Sequence, residues 1–182
     1  KIEANTIDSV SGTSTLTLGS SNASTIALKS GATLTNFPAN TPSFLAYVSS
    51  AQSFSNNTMT LVQFNTELYD TNSDYDNSSY VFTPTVAGKY FFTCKIRFEV
   101  GSISGFQIRI EKNSNTSDYT FPNVLYYNAR VENYDTQILS GILEANGSSD
   151  NFRVRASQDS GGTVSVSATF GSFWSAYKII GA

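Results

Sequence analysis

The chain has no histidine and a single cysteine. Without histidine, Ser-His-Asp and Cys-His arrangements, imidazole general bases and imidazole metal ligands are all excluded. The lone cysteine, Cys94, cannot close an internal disulfide, so a core must hold the fold. Charged residues are only 14% of the 182 residues, against about 25% in ordinary globular domains. Ser, Thr and Asn take the surface positions that charges usually fill. The net charge is −3 and no basic run of the needed length occurs, so a nucleic-acid footprint is not expected. No apolar run reaches the length of a membrane-spanning helix, no signal peptide is visible, and no stretch has a helical period of useful length. The chain opens at Lys1 rather than Met, as expected for a portion of a longer protein.

What is present points to strands. Hydrophobic residues are 40% and aromatics 13%, enough to fill a core. Tyr90, Phe92, Cys94, Ile96 and Phe98 alternate with Phe91, Thr93, Lys95, Arg97 and Glu99. Period two with aromatic and β-branched members predicts a strand with one face in a core, and places Cys94 there as a small buried hydrophobe. Further strands are expected at Ser43–Val48, Met59–Phe64, Ile103–Lys112, Tyr119–Asn128, Thr136–Glu144, Phe152–Ala156, Val164–Phe170 and Trp174–Ile180. Arg109, Arg153 and Arg155 are expected to face solvent on their strands. Pro84 with Gly88, Asn146-Gly147 and Asp159–Gly162 supply turns, and Ala51–Thr58 reads as polar and turn-like. Many short strands between turns predict an all-β sandwich.

Phe64, Asp70, Tyr75, Phe82, Gly88, Tyr90 and Phe92 stand in an order and spacing that resembles the signature of the complement component C1q globular-head family, whose fold is shared with tumour necrosis factor. The family pattern closes on one more aromatic, where this chain has Cys94. Trp174-Ser175-Ala176-Tyr177 is similar to the family's closing aromatic–Ser–Gly–aromatic, with Ala176 in place of glycine. The resemblance spans Pro42 to Ile180. It implies a ten-strand jelly-roll head over 41–182, with both ends at its base and apical loops at Ala51–Thr58, Gly101–Gly105, Ala129–Asp135 and Ser157–Gly162. It also implies a homotrimer with aromatic faces around the threefold axis, for which Tyr47, Phe91 and Tyr177 are the candidates.

Residues 1–40 read differently. Ser14–Gly19, Ser24–Lys29 and Ala32–Asn36 are short alternating stretches punctuated by Gly12, Gly19 and Gly31. Each offers one or two large side chains. At about 25 cal/mol per Å² buried, these do not offset ordering costs of roughly 1–2 kcal/mol per residue. Intertwined copies would solve that. The composition resembles the β-repeat shafts of bacteriophage tail and head appendages, so a stalk is expected; a linker without fixed structure is the alternative.

Chemistry is sparse. Asp118, Glu132, Asp135, Asp150 and Asp159 lie in expected loops, and nothing pairs any two at the 5–10 Å or so that glycoside hydrolysis needs. Asp70–Ser79 holds three aspartates but lacks the glycine and terminal glutamate of an EF-hand loop, so Asx turns are expected rather than a metal. No cofactor, nucleic acid or membrane insertion is expected. The stalk and head together imply a non-enzymatic virion appendage, a tail or head fibre tip. Such a tip would bind a host-surface glycan or protein receptor and meet other virion proteins through the stalk. A capsid decoration protein without a receptor and a secreted complement-like lectin are the alternatives. The lectin class would carry a collagen-type Gly-X-Y stalk, which this sequence lacks. The candidate ligand contacts are Arg130, Asn133, Tyr134, Gln158 and Asp159, because loops on a rigid scaffold carry binding groups. An aromatic beside amides and a carboxylate suits sugar stacking with hydrogen bonding, although for Tyr134 taken alone the favoured reading is an aromatic that closes the end of the barrel.

Overall fold

The computed structural model describes residues 40–99, 105–114, 124–129, 136–168 and 171–180. The stalk expected over 1–40 lies outside them, Asn40 apart. Strands β1 (Ser43–Tyr47), β4 (Thr66–Asp70), β7 (Gly88–Arg97), β10 (Thr136–Ala145) and β13 (Phe173–Lys178) form one sheet in the order β10-β7-β13-β1-β4. The second sheet runs β5 (Tyr75–Asp76), β6 (Val81–Phe82), β11 (Phe152–Gln158), β8 (Phe106–Lys112), β9 (Val124–Ala129), with β3 (Thr60–Leu61) pairing on β11. A separate pair joins β2 (Gln52–Phe54) to β12 (Val164–Val166). All ladders are antiparallel. The architecture is an all-β jelly-roll sandwich, as the sequence implies.

Alternation builds the core. On β7, Tyr90, Phe92, Cys94 and Ile96 are fully buried while Phe91, Thr93 and Lys95 are partly exposed. Burial pushes the Cys94 thiol well above its ordinary pKa, which leaves no reactive thiolate. Phe92 meets Phe152 across the sandwich at 4.7 Å between ring centroids. Trp174 stands edge-on to Phe44 at 4.9 Å and to Tyr75 at 5.6 Å, and Phe44 stacks on Phe82 at 4.5 Å. Each such side chain contributes about 1.5–3 kcal/mol by leaving water.

The residues that carry the family signature are therefore mostly structural. Tyr75 donates its hydroxyl to Phe64 O (2.7 Å), and Asp70 Oδ2 accepts the Tyr75 N–H (2.7 Å). Burial pushes the Tyr75 phenol above its ordinary pKa, so that donor stays protonated. Gly88 has φ of 145°, a conformation that side chains disfavour. Gly147 has φ of 73°, and a Cβ there would stand 2.2 Å from Ala87 N. The turn after β10 is thus seated directly on the turn before β7.

Several expectations are corrected. The stretch Ala51–Thr58 contains a strand, β2, because Phe54 is buried and packs edge-on against Phe98 at 5.4 Å. The strand expected at Met59–Phe64 shortens to β3, and Val164–Phe170 shortens to β12. Thr66–Asp70, given no strand by its pattern, is edge strand β4, with a register shift opposite Leu45 and Ala46. The aspartate loop folds as Asx turns. Asp76 accepts the Ser78 N–H (2.8 Å) and the hydroxyls of Ser78 and Ser79 (both 2.6 Å), which hold its carboxyl well below the usual range. Asp74 Oδ2 accepts the Thr85 N–H at 3.0 Å.

Candidate functional site

The outer face of the five-stranded sheet carries exposed apolar side chains among small polar residues and Lys95. Register aligns Ile142, Phe91, Tyr177 and Ser43 across β10, β7, β13 and β1. A parallel row joins Ile138, Lys95, Phe173 and Tyr47. Between them run Ser140, Thr93, Ser175, Leu45 and Tyr69. Ile138 is 58% exposed, Tyr69 46%, Ile142 44% and Tyr177 41%. The rings of Phe91 and Tyr177 are 5.5 Å apart. All three aromatics drawn from the sequence, Tyr47, Phe91 and Tyr177, therefore lie on one face. Sequence reading missed Ile138 and Ile142. The signal was β10 itself, where Leu139 and Leu143 are buried while Ile138 and Ile142 point outward. A strand apolar on both sides wants both sides covered.

The outer face of the second sheet is charged, and the arginines expected to be solvated there are only partly so. Arg109 is 7% exposed and Glu111 fully buried. Register sets Arg109 directly across from Arg155, and Glu111 across from Arg153. Arg153 Nε donates to Glu111 Oε2 at 3.2 Å; Arg155 Nε is 3.4 Å from the same oxygen but poorly aligned for a hydrogen bond. Glu111 Oε1 has no protein partner among the described residues.

Ala51–Thr58, Ser157–Gly162 and Gly105, the one described residue of the expected Gly101–Gly105 segment, meet at one end of this sheet. Asn57 donates its N–H to Gln158 O (2.8 Å), Gly161 to Asn56 Oδ1 (2.8 Å) and Asp159 to Gly105 O (2.9 Å). Between them opens a groove of about 440 Å³ lined by Asn57, Gly105, Gln107, Ser157, Gln158 and Asp159. Asp159 stands partly exposed at its rim. Gln158 has a different task from the ligand contact expected of it. It is 1% exposed, donates Nε2 to Phe54 O (3.1 Å) and Gly162 O (2.8 Å), and accepts the Ser160 N–H (2.7 Å). Its amide is used up in shaping the loop. Arg130, Asn133 and Tyr134 lie outside the described residues, as do Asp118, Glu132 and Asp135.

The two described loop carboxylates cannot act as a pair. Asp150 and Asp159 flank opposite ends of β11, whose seven residues alone span on the order of 20 Å at about 3.3 Å per residue. Asp150 is held by Lys112 Nζ (2.8 Å), Asn113 Nδ2 (2.8 Å) and the Asn146 N–H (2.8 Å). Burial works against its charge, and these donors outweigh burial, so its carboxyl sits below the usual value.

A profile of the family described as the C1q domain matches residues 43–144. Among solved structures, the globular domain of zebrafish complement 1qA protein is similar over 76% of this chain and 97% of that one, at 18% identity and a TM-score of 0.51. The crystal structure of murine APRIL at pH 8.0 is similar over 75% of this chain and 98% of that one, at 11% identity and a TM-score of 0.56. No curated protein matches the sequence. The likenesses to solved structures are of fold: the same two-sheet sandwich. No helix among the described residues is long and apolar enough to cross a membrane.

Proposed function

We propose, since this chain belongs to the C1q domain family, that it is the non-enzymatic, trimeric binding head of an extracellular appendage. The observation that carries this reading is the set of large apolar side chains left open on the outer face of the five-stranded sheet. Ile138, Ile142, Tyr69 and Tyr177 all stand more than 40% exposed on that one face, with Ser140, Thr93 and Ser175 between them. Soluble monomers seldom leave such a patch uncovered. Covering it with two further copies would bury the Ile142–Phe91–Tyr177 row near a threefold axis and leave the opposite sheet and the loop end free. Ligand binding then falls to the loop end, where Asn57 and Asp159 border the groove.

The finer assignment rests on the sequence. The alternating repeats of residues 1–40 suit a shaft, with a domain boundary near residue 40, and a shaft bearing a trimeric head suits a virion fibre tip that attaches to a host-surface glycan or receptor. Sedimentation of the whole chain at micromolar concentration tests assembly. Three copies are expected, and Ile142→Asp with Tyr177→Asp should shift the protein to a folded monomer. A wild-type monomer would overturn the reading. Electron microscopy of the particle should place the head at the end of a fibre; a head seated flat on a capsid lattice would replace attachment with decoration.

A further inference from the structure

We infer that the groove at the loop end takes a neutral saccharide, held through its hydroxyl groups. This rests on the reading of that end as the binding end. Three uncharged side chains line the groove with hydrogen-bonding capacity unused. Gln107 and Ser157 stand directly across from each other on β8 and β11. Gln107 Oε1 accepts from Arg109 Nη2 at 3.4 Å, which sets the amide and leaves Nε2 to donate elsewhere. The Ser157 hydroxyl and the Asn57 side-chain amide have no protein partner among the described residues. Asn57 is anchored by its backbone, with φ of 54° and its N–H donated to Gln158 O at 2.8 Å. Asparagine is among the few residues that settle in that left-handed conformation. Its amide therefore starts from a fixed point at the groove edge.

Two amides and a hydroxyl set donors and acceptors side by side. A sugar hydroxyl both gives and accepts a hydrogen bond, so a mixed, uncharged set matches it. Asp159 adds a carboxylate at the rim, and a carboxylate has acceptor sites for several donors at once. The groove, at about 440 Å³, falls within the range of about 300–1,000 Å³ for small-ligand sites. Other ligand classes fit it less well. An acidic sugar or a phosphate calls for a cationic partner, and no described residue of the lining is a cation. A hard metal ion needs several oxygen ligands, and no group of acidic residues suited to one occurs among the described residues. An apolar ligand needs apolar walls, whereas Phe106, the one large apolar residue in the lining, is only 5% exposed.

The test presents the whole chain to immobilised di- to hexasaccharides of glucose, galactose, mannose and N-acetylglucosamine, beside uronic-acid and glucosamine counterparts. Calorimetric titration then gives the affinity of each sugar retained. At least one neutral sugar should be retained, and should bind at least tenfold more tightly than its acidic or amine-bearing counterpart. Asn57→Gly suits the left-handed backbone and removes only the amide. Ser157→Ala removes only the hydroxyl. Each should lose at least fivefold in affinity while the melting temperature holds. Ser148→Ala, in the turn after β10 at the far end of the head, should leave affinity unchanged. Retention of charged sugars alone overturns the neutral assignment. Neutral binding that neither Asn57→Gly nor Ser157→Ala weakens overturns the groove as its site. No retention of any sugar overturns this inference alone, since trimer formation and the place of the head on the particle are read separately, by sedimentation and microscopy.

Discussion

The two sheets share one core and treat their outer faces in opposite ways. The five-stranded sheet turns isoleucine, phenylalanine and tyrosine toward solvent. The second sheet turns arginine and glutamate outward and then buries Arg109 and, completely, Glu111, while Arg153 and Arg155 stay partly exposed. Hydrophobic surface left open costs little until a partner arrives, and then covering it contributes about 25 cal/mol per Å². Buried charge behaves in the reverse manner. It is costly from the start and is held in place by specific pairing, so it fixes geometry more than it adds stability. The first face is thus suited to assembly and the second to orienting groups at its end.

Three changes would break or sharpen this contrast. The largest effect is expected at the core both sheets share. Trp174→Ala removes the ring that contacts Phe44, Phe64 and Tyr75, and should cost about 4 kcal/mol by the usual cavity penalty. Denaturant melts at fixed protein concentration would show it; a loss under about 1 kcal/mol would mean that the two sheets do not lean on that ring. Next comes the charged face alone. Glu111→Gln leaves Arg153 and Arg155 without their carboxylate, and a loss of about 3 kcal/mol is expected, with the sedimentation coefficient unchanged. A change in assembly instead of stability would erase the division of labour between the faces.

The smallest effect concerns pH. The Asp150 carboxyl is lowered in the folded state from an ordinary value of 3.8. Its contribution is therefore fully present above that value and is lost as pH falls through the lower, folded one. Stability should decline below about pH 3.8, and Asp150→Asn should flatten that decline while leaving neutral pH less stable than wild type. A profile identical in slope for both proteins would show that the Lys112–Asp150 contact carries no linkage.

Much of this was legible in the sequence, for reasons that differ by element. Strand β7 was plain because its pattern is local: alternate residues face alternate sides, whatever the rest of the chain does. Cys94 followed from the same parity. Strand β2 was hidden because a single aromatic, Phe54, sits among polar residues, and only its long-range partner Phe98 explains its burial. The buried Glu111 was hidden for a like reason. A charged residue at an outward position reads as solvated until its cross-strand neighbours are known. Gln158 looked like a free amide in a loop. Its three hydrogen bonds reach Phe54, Ser160 and Gly162, and the first of these partners is 104 residues away. The groove itself had no sequence signal, since it arises where Asn57, Gly105 and Asp159 happen to converge.

The seating of Gly147 on Ala87 has one more consequence. The turn before β7 and the turn after β10 are both places where the chain leaves one sheet for the other, and at Gly147 there is no room for even a methyl group between them. A side chain at Gly147 would have to push the two turns apart, and with them the ends of β7 and β10 that they join to the second sheet.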